Sequence, residues 1–199
     1  MEIIIKQSKL KYNYEYKIYS QSNLLLLGKA NRTIFPSKRK IEISYPNGNI
    51  VCTLKQENDF KYILSCIPII NLLKICACPY ILYFNNQNKG YFMQQGFWNR
   101  DIVGIIGNNK IAIKAHTGNY ISIHFNNEQV ALAKKNVYKK FDADEYLVNY
   151  NKDQRMEVIS IIYILVDIIW YTSDDTLYSN SLEYKIVFND DFNKNWKAK

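Results

Sequence analysis

Val158-Ile-Ser-Ile-Ile-Tyr-Ile-Leu-Val-Asp-Ile-Ile-Trp-Tyr171 is apolar apart from Ser160 and Asp167, and its hydrophobic residues do not alternate with polar ones. As a helix it is greasy almost all round. Glu157, Ser160, Ile164, Asp167 and Tyr171 form one narrow, partly polar stripe at three- and four-residue spacing. Such a helix must be enclosed by protein or by lipid. Its fourteen residues rise only about 21 Å, short of a hydrocarbon core of about 30 Å, and an aspartate near the middle costs a few kcal/mol there. We therefore expect a buried core helix over 156–171, with Val158, Ile161, Ile162, Leu165, Ile168 and Ile169 withdrawn from solvent around Asp167. The isoleucines would suit a strand equally well, so periodicity leaves helix and strand both open.

The chain around this segment reads as short strands separated by turn signals. Tyr12, Tyr14, Tyr16 and Ile18 alternate with polar residues, Ser20 to Asn23 turns, and Leu24 to Leu27 returns. Ile41, Ile43 and Tyr45 face Ile50, Cys52 and Leu54 across a Pro46-Asn47-Gly48-Asn49 loop, a hairpin by pattern and by turn chemistry. Ile111, Ile113 and Ala115 pair in the same way with Ile121, Ile123 and Phe125 around Thr117-Gly118-Asn119. Further strands are expected at 80–84, 91–95, 102–106, 129–133, 145–150 and 182–188. So many short strands in one domain point to a barrel or sandwich. The apolar stretch Tyr62–Phe84 contains Pro68, Lys74 and Pro79, which argues against a single spanning helix and for buried strands joined by an apolar loop.

The totals agree with one globular domain. The 199 residues are 48% hydrophobic and 22% charged with 7 Gly and 4 Pro, which excludes disordered, collagenous and low-complexity classes. A chain of this length buries roughly 70% of the surface it exposes unfolded, so disulfides and metal are not needed for folding. The N-terminus offers only three consecutive apolar residues, Ile3 to Ile5, between Glu2 and Lys6. That is too little for a signal peptide's apolar middle, so a reducing cytoplasm is the expected compartment. Twenty-six Lys+Arg against 18 Asp+Glu give a net charge of +8, a balance that suits an anionic partner such as nucleic acid or an acidic lipid surface.

The residues that could carry chemistry are sparse. His116 and His124 fall on the polar face of their hairpin with Lys114 and Ser122, four strand positions apart or roughly 13 Å, and read as exposed strand histidines. Cys76-Ala-Cys78-Pro79 with Cys66 is a weak metal signal that fits inert buried thiols, with acylation as the sharper alternative. Asp142, Asp144 and Asp153 occupy places one, three and twelve of a calcium-type loop. That loop is degraded: Leu147 stands where its glycine should be, and Tyr146 and Tyr150 replace oxygen donors, so no metal is expected. Phosphate-cradling glycine loops, nucleophile elbows and H-E-x-x-H are absent from the sequence, which weighs against an enzyme and a cofactor. The basic clusters are Lys38-Arg39-Lys40, Lys134-Lys135 with Lys139-Lys140, and Lys194, Lys197 and Lys199.

Phe141-Asp-Ala-Asp-Glu-Tyr-Leu-Val-Asn-Tyr150 followed by Met156–Tyr171 resembles the C-terminal part of the phospholipid scramblase and LURP-one-related proteins, members of the tubby C-terminal-like superfamily. Asp167 matches by position the single aspartate near the end of their apolar helix. Leu72–Pro79, the strand 80–84, the turn 85–89 and Gly90–Trp98 resemble the scramblase cysteine-proline segment, strand, turn, glycine and strand. The resemblance runs from about Tyr12 to Thr172. It implies a closed antiparallel barrel of about twelve strands around a central hydrophobic helix over residues 1–172, with 173–199 as a C-terminal extension. The scramblase proline-rich extension and cysteine cluster are missing and the calcium-type loop is degraded, which counts against calcium-triggered scrambling. What remains is a non-enzymatic domain expected to bind anionic, phosphoinositide-type lipid at the inner face of the membrane. Lys38, Arg39, Lys40, Lys134, Lys135, Lys139 and Lys140 are its candidate contacts. The alternative is a protein- or nucleic-acid-binding barrel without a lipid role.

Overall fold

The computed structural model describes residues 1–10, 13–31, 39–56, 79–94, 101–116, 118–138, 143–170, 193 and 195–199. Its strands are β1 (Glu2–Leu10), β2 (Asn13–Ser20), β3 (Asn23–Asn31), β4 (Lys40–Ser44), β5 (Ile50–Gln56), β6 (Tyr80–Phe84), β7 (Gln87–Gln94), β8 (Ile102–Ile106), β9 (Asn109–His116), β10 (Tyr120–Phe125), β11 (Glu128–Tyr138) and β12 (Ala143–Tyr150). The helix α1 (Met156–Trp170) follows them. Each strand pairs antiparallel with its sequence neighbours, and β1 closes the ring on β12 with Ile3 opposite Val148 and Ile5 opposite Tyr146. Among the described residues the architecture is thus mainly β, a closed twelve-stranded antiparallel barrel with one helix.

Local chemistry explains the hairpins. Gln21-Ser22, Asn85-Asn86 and Asn126-Asn127 all have positive φ and link strands whose last pairs are Ser20 with Asn23, Phe84 with Gln87 and Phe125 with Glu128. Two-residue loops with both central residues left-handed match the twist of the strands they join, and asparagine tolerates that conformation best after glycine. These turns lie at one rim, together with the Pro46–Asn49 loop and the approach to α1. β5 and β11 end, and β6 and β12 begin, at the opposite rim.

Alternation decides what each strand buries. Ile3 and Ile5, Tyr14, Tyr16 and Ile18, Ile41 and Ile43, Ile111 and Ile113, Ile121 and Ile123, and Tyr146, Val148 and Tyr150 form one hydrophobic core with Val158 to Val166 and Trp170 of α1. The helix packs most closely on β3, β4 and β5. Gly28 makes room for it, since a Cβ there would stand 2.5 Å from Ile164 Cδ1. Ile161, Ile162 and Leu165 are inaccessible, as expected. Ile168 and Ile169 are not: they are only partly buried because they lie in the last turn, where the helix reaches the rim. None of the described helices is long and apolar enough to cross a membrane. The strand expected at 182–188 and most of the extension lie outside the described residues.

Candidate functional site: a buried carboxylate and a lysine-flanked strand face

Asp167 is the charged residue of α1 that the core must accommodate, and it is 2% exposed. Its Oδ2 accepts hydrogen bonds from Tyr16 Oη at 2.8 Å and Gln7 Nε2 at 2.9 Å, and its Oδ1 accepts a short one from Tyr146 Oη. Lys135 Nζ stands 3.3 Å from the same Oδ1 and 2.5 Å from Asp144 Oδ2. Strand parity brings these groups together, since Gln7, Tyr16, Lys135, Asp144 and Tyr146 share the inward faces of β1, β2, β11 and β12. Burial, and then the Asp167 charge, push the Tyr16 phenol well above the usual tyrosine value. The Tyr16 phenol therefore stays protonated and donates to the carboxylate.

Lys135 consequently does not belong to a solvent-facing cluster. It is 3% exposed because β11 runs on to Tyr138, which places Lys135 on the same face as Ala131 and Ala133. Lys134 alternates outward, is exposed and lies over the Tyr120 ring at 5.8 Å. Arg39 and Lys40 are half-buried, and Lys40 pairs with Glu42 at 2.5 Å. Lys38, Lys139, Lys140 and Asp142 lie outside the described residues. Asp144 is bound to Lys135 and Asp153 sits beyond the far end of β12, so the structure does not bring these carboxylates together.

The histidine reading needs correction. The expected register holds, with His116 opposite Tyr120 and His124 opposite Ala112, yet both rings are buried, at 5% and 9% exposure. Both imidazoles lean along the strands to Ser122 Oγ, His116 Nε2 at 2.7 Å and His124 Nε2 at 3.0 Å. Spacing between backbone positions overstated the separation of side chains that converge on one hydroxyl. Among the described residues no group of His, Cys, Asp and Glu is arranged to hold a metal ion. Cys52 is a buried thiol whose pKa is pushed up to about 12 by burial and by Glu157; Cys66, Cys76 and Cys78 lie outside the described residues.

A second feature lies on the outer wall. Ile81 and Tyr83 on β6, Tyr91 and Met93 on β7, and Val103 and Ile105 on β8 all point away from the core and are all partly exposed. One cross-strand row runs Lys55, Ile81, Tyr91, Ile105, Lys110, so exposed lysines bracket an apolar band. Lys55 Nζ also lies 5.2 Å from the Tyr83 ring centroid. Sequence reasoning passed over this face, although β6 and β8, apolar in both parities, carried the signal.

The described residues thus define a class, a closed twelve-stranded barrel with the helix α1 packed in its hydrophobic core. No protein-family model, curated protein or solved structure matches the chain.

Proposed function

We propose that this chain is a non-enzymatic, tubby-like and scramblase-like barrel, closed around a central helix, that attaches peripherally to anionic phospholipid on the cytoplasmic face of a membrane. The observation that carries the reading is the row Lys55, Ile81, Tyr91, Ile105, Lys110. An apolar band can enter the interfacial layer while the flanking ammonium groups meet lipid phosphates. The closed barrel and its buried helix agree with the architecture that the scramblase resemblance implies. With Lys135 committed to the core, Lys55, Lys110 and Lys134 are the contacts to test among the described residues.

Each lysine near an anionic surface contributes about 1 kcal/mol, so neutralising Lys55 and Lys110 together removes about 2 kcal/mol, roughly thirtyfold in affinity. Co-sedimentation with phosphatidylcholine vesicles carrying increasing phosphatidylserine should show binding that rises with anionic fraction and falls with salt. The Lys55→Gln, Lys110→Gln double variant should lose most of it. Equal binding to neutral and anionic vesicles, or an unaffected double variant, would sink the proposal.

A nucleic-acid reading draws on the pairs Lys55 with Tyr83 and Lys134 with Tyr120, since lysine beside tyrosine is also how single strands are held. The wall favours lipid because four of its six apolar side chains, Ile81, Met93, Val103 and Ile105, are aliphatic and offer no stacking surface. An oligonucleotide shift assay on the same proteins separates the two. Nucleic-acid binding tighter than vesicle binding would reverse the order.

A further inference from the structure

At the rim of the tight turns, a cavity of about 510 Å³ opens between the turns that flank β9, β10 and β11 and the segment joining β12 to α1. This is within the range of small-molecule sites, roughly 300 to 1,000 Å³. Among the described residues, several of its polar groups have one end satisfied by protein and the other end without a protein partner. Asn126 Nδ2 donates to Asn109 Oδ1 at 2.8 Å, which leaves the Asn109 amide hydrogens. Asn151, 6% exposed, accepts from Lys199 N at 2.8 Å, which leaves its own Nδ2. Gln154 Nε2 donates to Asp153 Oδ2 at 2.9 Å, which leaves Gln154 Oε1 and the second Asp153 oxygen. Glu128 Oε1 pairs with Lys199 Nζ at 2.9 Å, which leaves its other oxygen. Phe125 and Val130 complete the wall with apolar surface.

The chemistry of this set is selective. Two amide donors and three acceptor oxygens, two of them carboxylate, require a ligand whose groups both donate and accept, and hydroxyls do so. Glu128 and Asp153 against Lys199, whose ammonium is already paired, make the pocket acidic on a chain of net charge +8. Phosphates and carboxylates are therefore disfavoured here. The partly buried Phe125 lines the cavity and adds apolar surface for aliphatic C–H groups.

We propose that this cavity is a binding site for an uncharged glycosyl unit, whose adjacent hydroxyls bridge Asn109, Asn151, Gln154 and Asp153. The site is independent of the lipid wall and stands or falls separately from it. The unit can be free or carried on a lipid, so the test has two arms. In the first, saturation-transfer NMR and calorimetry on the full chain use the methyl glycosides of glucose, galactose, mannose and N-acetylglucosamine, with glucose 6-phosphate as the charged counterpart. In the second, phosphatidylcholine vesicles carry a neutral glycosyl diacylglycerol.

At least one neutral glycoside or the glycolipid vesicle should bind saturably, and glucose 6-phosphate should bind at least tenfold more weakly than glucoside. Asp153→Asn and Gln154→Ala, on the short segment before α1, should each weaken binding fivefold or more with the thermal midpoint unchanged. Phe125→Leu tests the apolar wall in the same way. Binding by neither arm, equal binding of the phosphorylated sugar, or wild-type affinity in the Asp153 and Gln154 variants overturns the proposal.

Discussion

Asp167 shows how a single charge is carried through a hydrophobic core. A lone buried carboxylate would cost several kcal/mol, and here two phenols, one amide and one ammonium share it. Breaking one member should therefore hurt far more than its surface neighbours suggest. Lys135→Met strands two carboxylates and should lose about 3 to 5 kcal/mol in urea unfolding, whereas Lys134→Met should stay within about 0.5 kcal/mol of wild type. Equal effects of the two would mean that Lys135 is not inside. Tyr16 and Tyr163 supply a pH signature. Burial raises both phenols well above their ordinary value, with Asp167 adding to the shift of Tyr16. The protonated phenols favour the fold fully below an unfolded-state pKa of about 10. Above it the unfolded chain releases protons that the folded chain keeps. Stability should then fall by up to about 1.4 kcal/mol per pH unit for each tyrosine until the folded values are passed. A urea midpoint unchanged above about pH 10 would contradict this.

At the scale of elements, the close approach of β7 and β8 depends on Gly90. A Cβ there would stand 1.8 Å from the carbonyl oxygen of Ile105, a backbone atom that cannot rotate aside. Gly90→Ala should cost roughly 3 kcal/mol or more, the upper end of overpacking, and calorimetry should show the lowered midpoint. The hairpins were legible because alternation and turn chemistry agree, as they do for β4 with β5 and β9 with β10. Strand β1 was not legible: Ile3, Ile4 and Ile5 form a run without alternation, and only pairing to both β2 and β12 shows that Ile3 and Ile5 face inward while Ile4 faces out. The helix was visible as a greasy segment too short to span a bilayer, but its choice over a strand came from tertiary packing. Asp167 stood out in the sequence, while Tyr16 was one of several alternating strand tyrosines and Tyr146 drew notice only as a misfit in the calcium-type loop. Lys135 misled because two adjacent lysines look like surface, and alternation sends one of them inside.

The whole molecule closes through its most distant segments, since Glu2 to Lys6 pair with Glu145 to Asn149. Folding must bring together residues about 140 positions apart, a topology that favours slow, non-local folding. A variant lacking residues 2–10 should lose cooperative unfolding and bind thioflavin in aggregates, while the full chain stays monodisperse at the same concentration. A deletion variant that unfolds cooperatively would show that β1 is dispensable. The reason lies in the backbone of the ring. Every described strand has a neighbour on both sides, so none of the described strands offers a row of unpaired amides and carbonyls along its flank. A partner therefore cannot join the described barrel by adding a strand to its sheet. Recognition is left to side chains, on the wall or at the rims, and the removal of β1 would create two templating edges at once, on β2 and on β12.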